Sequence, residues 1–198
     1  MFAYIKGSLE EKTSNYVVID VNGIGYKIFM SLGSINNIGE LGNIVKVHTH
    51  YYVREDNISL YGFLSNEELK MFELLLSVSG IGAKSAISML SNITPSDFAL
   101  AIITNNVAAL TKIPGIGAKS AQRIILELKD KLKDEDTVSK AEVSNKQIES
   151  ENMKDALDAL QILGYNKKEI EKVLEKLELE DLSTENIIKN ALKYLSRN

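Results

Sequence analysis

The feature that most constrains this chain is an internal repeat of seven identical residues. Residues 80–86 read Gly-Ile-Gly-Ala-Lys-Ser-Ala, and residues 115–121 repeat them 35 positions later. Each copy lies between stretches of helical apolar periodicity, so the chain must twice form a helix, a tight glycine turn and a second helix. The repeat therefore predicts two copies of one structural unit.

The residue types in each copy suit a phosphate group. Glycines let the main chain approach a ligand closely, and the following helix presents free N–H groups at its start. A lysine in each copy adds a cation, and Arg123 lies one turn further on. For a single copy, a turn that serves only packing is the alternative; two copies with the same Lys and Ser favour phosphate binding. The candidate residues are Gly80, Gly82, Lys84, Ser85, Gly115, Gly117, Lys119, Ser120 and Arg123.

The glycine turns do not form a nucleotide-binding motif. A P-loop needs glycine directly before the Lys-Ser pair and again five residues earlier. Those positions hold Ala83 and Val78 in the first copy, and Ala118 and Ile113 in the second. A dinucleotide fingerprint needs a preceding strand and a third glycine. We therefore predict no cofactor and assign no catalytic residue.

The net charge of −4 is unevenly distributed. Residues 134–151 contain six acidic and two basic residues and account for most of this negative charge. The segment before them is close to neutral, so it has room for a basic face. The chain has no cysteine, which excludes disulfides and thiolate metal sites and suits a reducing compartment. No apolar run approaches the ~20 residues of a membrane helix. We expect a cytoplasmic protein.

The pattern of apolar residues divides the chain into four segments. Residues 1–63 alternate with period two and include an Asn-Gly hairpin signal at 22–23, which predicts a small closed barrel of the OB kind. Residues 64–133 have helical periodicity. Residues 134–151 are polar and acidic and predict a flexible linker, with a solvated charged helix as the alternative. Residues 152–198 predict three short helices, so the fold class is α+β and multidomain.

Several motifs resemble a known family. Gly-hydrophobic-Gly-x-x-x-Ala between helices is similar to the helix-hairpin-helix motif, which binds the DNA backbone without reading sequence. A tandem pair behind an OB-like barrel, followed by a linker and a three-helix tail, resembles the RuvA family over the whole chain. The tail would then be a UBA-like bundle. Other matching motifs lie at 23–26, 52–56, 60–63 and 163–165.

The resemblance implies a non-catalytic subunit that binds a four-way Holliday junction as a homotetramer. It would hold the junction open and planar, with each subunit gripping one arm. The resemblance also implies that the tail binds the hexameric ATPase RuvB through Leu160, Leu163 and Tyr165, and it adds the RuvC resolvase as a further partner. For the two leucines, the alternative is that they fill the core of the bundle.

A charged tip separates two predicted strands at Arg54-Glu55-Asp56-Asn57. From the residues alone, a solvated turn is favoured. The resemblance implies instead that Glu55 and Asp56 form an acidic pin at the centre of the tetramer, where they repel phosphates. The two histidines, His48 and His50, share one strand face, and two ligands make a poor metal site, so we predict no metal.

Two other functions remain open from the sequence. One is a general helix-hairpin-helix module of a repair complex, with no preference for junctions. The other is a glycosylase or lyase, for which Asp97 and Lys112 lie in the right region. An enzyme of this kind needs a base-sized pocket, and the residue spacing does not support one.

Overall fold

The computed structural model describes residues 2–55, 57–138, 151–177 and 183–195. These residues form two compact units. The first contains the residues up to Glu73 together with Gly82–Asn92, and the second contains Leu74–Ile81 and the residues from Ile93 onward. We describe each unit by itself.

The first unit is built on a closed barrel. Its strands are β1 (Tyr4–Lys12), β2 (Tyr16–Val21), β3 (Ile24–Phe29), β4 (Ile44–Val53) and β5 (Ile58–Phe63). Their order in the barrel is β1-β2-β3-β5-β4, with β1 paired antiparallel to β4 and a single parallel contact between β3 and β5. This arrangement confirms the predicted OB-like barrel.

Strand alternation produces the core of the barrel. Val17 and Ile19 on β2 are fully buried, as the period of two requires for residues on one face. The turn between β2 and β3 places Asn22 and Gly23 at φ of 54° and 86°, the left-handed region that an Asn-Gly hairpin turn uses. Local turn chemistry and alternation therefore agree on the register.

Three helices accompany the barrel in the chain: α1 (Leu32–Asn37), α2 (Asn66–Leu76) and α3 (Ala83–Leu90). Glu68 near the start of α2 accepts hydrogen bonds from the Ser34 hydroxyl at 3.1 Å and the Leu64 N–H at 2.9 Å. Phe72, one turn further on, packs against Phe63 of β5 with ring centroids 4.9 Å apart. These contacts hold the first part of α2 on the barrel.

The second unit is helical. Its helices are α4 (Pro95–Ile103), α5 (Val107–Thr111), α6 (Ala118–Val138), α7 (Glu151–Ile162), α8 (Lys167–Leu174) and α9 (Thr184–Leu195). Thr94 caps α4 by accepting from the Asp97 N–H at 3.2 Å. Lys129 of α6 donates to the Ile103 carbonyl at the end of α4 at 2.7 Å. This bond satisfies a helix-end carbonyl and fixes α6 beside α4.

Helix α6 is longer than the sequence pattern suggests. It continues to Val138, five residues into the segment 134–151 that we predicted as a linker. Lys, Glu and Asp are compatible with both a solvated helix and an open chain, so composition alone does not locate the end of this helix. The rest of the predicted linker, from 139 to 150, lies outside the described residues.

The helical pattern of the tail agrees with the helices α7, α8 and α9. Gly164 adopts φ 78° after α7, and Asn166 and Glu169 form a capping box at the start of α8. Within the second unit, α7 and α9 also pack against α4. No single helix in the described ranges is long and apolar enough to cross a membrane, and α3 and α4 meet that test only as a bent pair.

Candidate nucleic-acid interface

The repeat in sequence is also a repeat in backbone conformation. Gly80 and Gly115 both have φ of 85°, a backbone conformation that residues other than glycine rarely adopt. In each copy the isoleucine that follows donates its N–H to the carbonyl three residues earlier, at 3.1 Å for both Ile81 and Ile116. The two turns are therefore equivalent hairpins.

A helix begins directly after each hairpin turn. Gly82 precedes α3 with an extended backbone and no side-chain cap, and Gly117 precedes α6. The first N–H groups of such a helix lack intrahelical acceptors and carry the positive end of the helix dipole. Lys84, Ser85 and Lys119 are exposed in the first turn of their helices. Cationic side chains and free N–H groups thus share one end of each helix, which suits phosphate oxygens.

An open groove in the second unit brings part of the predicted site together. Its volume is about 160 Å³. One wall is the loop of the first hairpin, and the other is the first turn and a half of α6. The groove is lined by Val78, Ser79, Gly80, Ile81, Lys119, Ser120 and Arg123.

The remaining predicted phosphate-binding residues lie outside this groove. Gly115 and Gly117 form the turn that leads into α6, and they belong to the same unit. Gly82, Lys84 and Ser85 belong to the first unit. The groove therefore gathers four of the nine candidates, and the other five lie in the same two turns or directly after the first of them in the chain.

Glu127 contacts both walls of the groove, and sequence reasoning did not identify it. Its carboxylate accepts from Arg123 Nε at 2.8 Å and from the Ser79 N–H at 3.0 Å. The spacing of four from Arg123 is a signal that could have been read on a helix. The contact with Ser79 joins residues 48 positions apart, and no local sequence pattern predicts it.

The charged tip between β4 and β5 is a closed turn. The Arg54 N–H donates to the Asn57 carbonyl at 2.8 Å, and the Arg54 Nε donates to the Tyr52 hydroxyl at 2.8 Å. Glu55 is exposed at this tip. Asp56 lies outside the described residues, so the assignment of an acidic pin stays a prediction.

The two histidines have separate environments on β4. His50 Nδ1 lies 3.0 Å from Glu73 Oε1. Burial, and then the charge of Lys46, lowers the pKa of His48 below its ordinary 6.5. Across the part of the chain that the structure describes, His, Asp and Glu side chains form no group of three or more that could hold a metal ion.

The predicted motor-binding residues of the tail differ in accessibility. Leu160 and Leu163 are fully buried, which is the arrangement of the alternative in which they fill the helical core. Tyr165 is half-buried and follows the glycine that ends α7. Its N–H donates to the Leu160 carbonyl at 3.2 Å, which fixes the turn after the helix.

The two residues considered for an enzyme have local structural positions. Asp97 accepts from the Thr94 hydroxyl at 2.7 Å in the first turn of α4. Lys112 is exposed at the end of α5. Neither residue lines the groove between the hairpin loop and α6.

Comparisons with known proteins cover nearly the whole chain. Residues 1–62 match the family described as RuvA N terminal domain, residues 72–130 match SAM-like Helix-hairpin-helix tandem, and residues 151–196 match RuvA, C-terminal domain. The helix-hairpin-helix match contains both glycine turns.

Three relatives are each named Holliday junction branch migration complex subunit RuvA. The relative from Acetivibrio thermocellus is 53% identical over 201 residues, which cover 100% of both chains. The relative from Ruminiclostridium cellulolyticum is 47% identical over 98% of this chain and 100% of its own. A relative from Clostridium perfringens is 46% identical over 100% of both chains. With this identity over the full length, and both terminal domains matched, the chain belongs to the RuvA family.

Proposed function

We propose that this chain binds four-way Holliday junction DNA as a homotetramer, holds it open and planar, and recruits the RuvB ATPase for branch migration. The observation that carries the proposal is the groove in which the first hairpin loop faces Lys119, Ser120 and Arg123 of α6. The full-length relatives named as subunits of the branch migration complex support it. The subunit itself is non-catalytic, and ATP hydrolysis belongs to its partner.

The hairpins bind the DNA backbone rather than the bases. Lys119 and Arg123 supply positive charge, and the free N–H groups at the start of α6 supply oriented donors. Such contacts provide affinity that depends on salt and carry no sequence information. Two hairpins in each subunit hold the two backbones of one arm. Recognition of the junction then comes from geometry, because four symmetric subunits engage four arms at once.

Self-association is supported by apolar side chains that the barrel leaves exposed. Ile44, Val53 and Ile58 are exposed by 67%, 55% and 63%, and all three lie in β4 or β5. Val53 and Ile58 pair in register directly before and after the charged tip, and adjacent exposed apolar residues favour contact with another protein surface. A second copy of this chain is the partner that the homotetramer requires.

The charged tip and the tail act on the junction and on the motor. The exposed carboxylate of Glu55, together with Asp56, repels phosphates at the crossover and helps to separate the strands. In the tail, Tyr165 contacts RuvB directly, and the buried Leu160 and Leu163 support that surface from beneath. The RuvC resolvase is a further partner, and the site of action is the cytoplasm.

A competition experiment tests the function. A labelled, immobile four-way junction is titrated with the full-length protein at one stated salt concentration, against linear duplex of equal total length. We expect the junction complex to survive an excess of duplex. Equal affinity for both DNAs would replace the proposal with a general helix-hairpin-helix module. A separate incubation with duplex that contains a damaged base tests the third alternative, because cleavage would indicate an enzyme.

A further inference from the structure

Glu127 joins the two walls of the candidate DNA groove through a single carboxylate. One oxygen accepts from Arg123 Nε at 2.8 Å and the other from the Ser79 backbone N–H at 3.0 Å. Ser79 lies in the first hairpin loop, directly before Gly80, whereas Arg123 lies one turn earlier than Glu127 on α6. The carboxylate therefore links the two structural elements that would hold phosphate.

A carboxylate in this place works against a phosphate-binding surface if only its charge is considered. The Glu127 side chain is 30% exposed and lies one helical turn from Arg123, so its charge weakens the attraction of the groove for DNA. Glu127 can strengthen phosphate binding only if its hydrogen bonds to Arg123 and Ser79 contribute more than its charge costs.

The bond to Arg123 orients the guanidinium without occupying it. A guanidinium has five N–H donors, and the Nε carries one of them. This bond leaves unused the four donors on the two terminal nitrogens, which have the geometry to meet phosphate oxygens. The Arg123 side chain is 55% exposed, so in the absence of Glu127 it would distribute over many rotamers and lose that freedom on binding DNA.

The bond to Ser79 acts on the opposite wall. The Ser79 N–H belongs to the loop whose next residue, Gly80, adopts φ of 85°. Because a charged acceptor on α6 holds this N–H, the loop is attached to the helix across the groove. Glu127 in this way sets the distance between the loop and the residues of α6 that face it.

We propose that Glu127 is a positioning residue for binding of the DNA backbone: it orients Arg123 and holds the first hairpin loop opposite Lys119 and Arg123 on α6. The proposal rests on the proposed function, because it takes the groove to be the DNA-binding surface. It predicts a sign. Removing a negative charge from a passive position strengthens DNA binding, whereas removing a positioning residue weakens it.

The test compares Glu127→Gln and Glu127→Ala in the full-length protein. Affinity for a four-way junction is measured at several salt concentrations. We expect Glu127→Ala to weaken binding by about tenfold, and to reduce the magnitude of the salt slope by about 1 as the Arg123 contact is lost. We expect a smaller loss for Glu127→Gln, whose amide oxygen still accepts one of the two bonds. The glutamine has the same shape, so it tests the proposal even if the alanine variant unfolds.

Glu185→Ala is the matched control. It breaks an ion pair of the same i,i+4 spacing on α9, between Glu185 and Lys189, neither of which lines the groove. We expect no loss of junction affinity from it. The Glu127→Ala substitution is also made in a protein that already carries Arg123→Ala. There we expect Glu127→Ala to lower junction affinity by less, because only its effect on the hairpin loop remains. An equal loss of affinity with and without Arg123 would overturn the role of Glu127 through Arg123.

Unchanged or tighter binding by both Glu127 variants would overturn the proposal and leave the proposed function intact. A wild-type protein that binds junction and duplex equally would contradict the proposed function instead. In that case the sign of the Glu127 effect on duplex affinity still separates a positioning residue from a passive charge.

Discussion

Gly80 and Gly115 adopt the same φ of 85° at equivalent points of two hairpins, although 35 residues separate them in the chain. Each is followed by an isoleucine whose N–H closes the turn at 3.1 Å. The identity of the two turns extends from sequence to hydrogen bonding. Substitutions at the two glycines of one hairpin can therefore test separately whether glycine is needed for the left-handed backbone or for close approach to DNA.

Gly115→Ala and Gly117→Ala should have different effects. The alanine at 115 must adopt a left-handed backbone, which we expect to lower the free energy of unfolding by about 1–2 kcal/mol. At 117 the φ is not in that region and a Cβ meets no atom within 4 Å, so stability should be retained while DNA approaches less closely. Denaturant unfolding and junction titration of both variants test this. Equal stability losses would contradict it.

Lys119→Ala should weaken binding to junction and duplex by the same factor. Lys119 lines the groove, and a phosphate contact carries no sequence information. We expect the slope of log affinity against log salt to fall in magnitude by about 1. Lys112→Ala is the control, because Lys112 is exposed at the end of α5 and does not line the groove. A similar change in slope for both variants would argue against a local contact.

Glu55→Gln combined with Asp56→Asn should leave junction binding intact or make it tighter, because negative charge is removed near phosphates. We expect the rate of branch migration, measured with the motor present, to change. Glu10→Gln, which neutralises an exposed acid on β1, should leave that rate as it is. An unaltered migration rate in the double variant would refute the assignment of an acidic pin.

Leu160→Ala and Tyr165→Ala should separate folding from motor binding. Leu160 is fully buried, so its truncation should lower the free energy of unfolding by about 2–5 kcal/mol. Tyr165 is half-buried, so its truncation should weaken RuvB binding with a smaller effect on stability. Thermal unfolding and titration with RuvB measure the two effects. Wild-type RuvB affinity in a folded Tyr165→Ala protein would exclude the tyrosine from that surface.

Acid should destabilise the protein partly through His48. Burial lowers the pKa of His48, so the unfolded chain binds a proton more readily than the folded chain. The contribution to stability is complete above pH 6.5 and is lost as the pH falls through the lowered pKa of the folded state. Chemical unfolding between pH 5 and 7 should show less pH dependence in His48→Asn. An identical pH profile would assign the effect to other groups.

Much of the fold follows from patterns that are local in sequence. The alternation in Tyr16–Val21 and the Asn-Gly turn after it predict a β-hairpin, because side-chain direction and turn angles depend on adjacent residues. The Gly-x-Gly turns predict two helical hairpins for the same reason. The continuation of α6 as far as Val138 was less accessible to prediction, since charged residues suit both helix and linker.

The candidate site depends on both the local sequence and the tertiary structure. The sequence by itself determined that two identical turns would present glycine, lysine and serine at the start of a helix, because backbone angles and helix ends are local properties. Only the tertiary structure decided that Glu127 meets Ser79 across 48 residues, and that Leu160 and Leu163 are buried. An apolar stripe on a helix shows that this face must be buried, but it does not identify the element that packs against it. Long-range packing selects that partner, and it leaves no periodic signal in the chain.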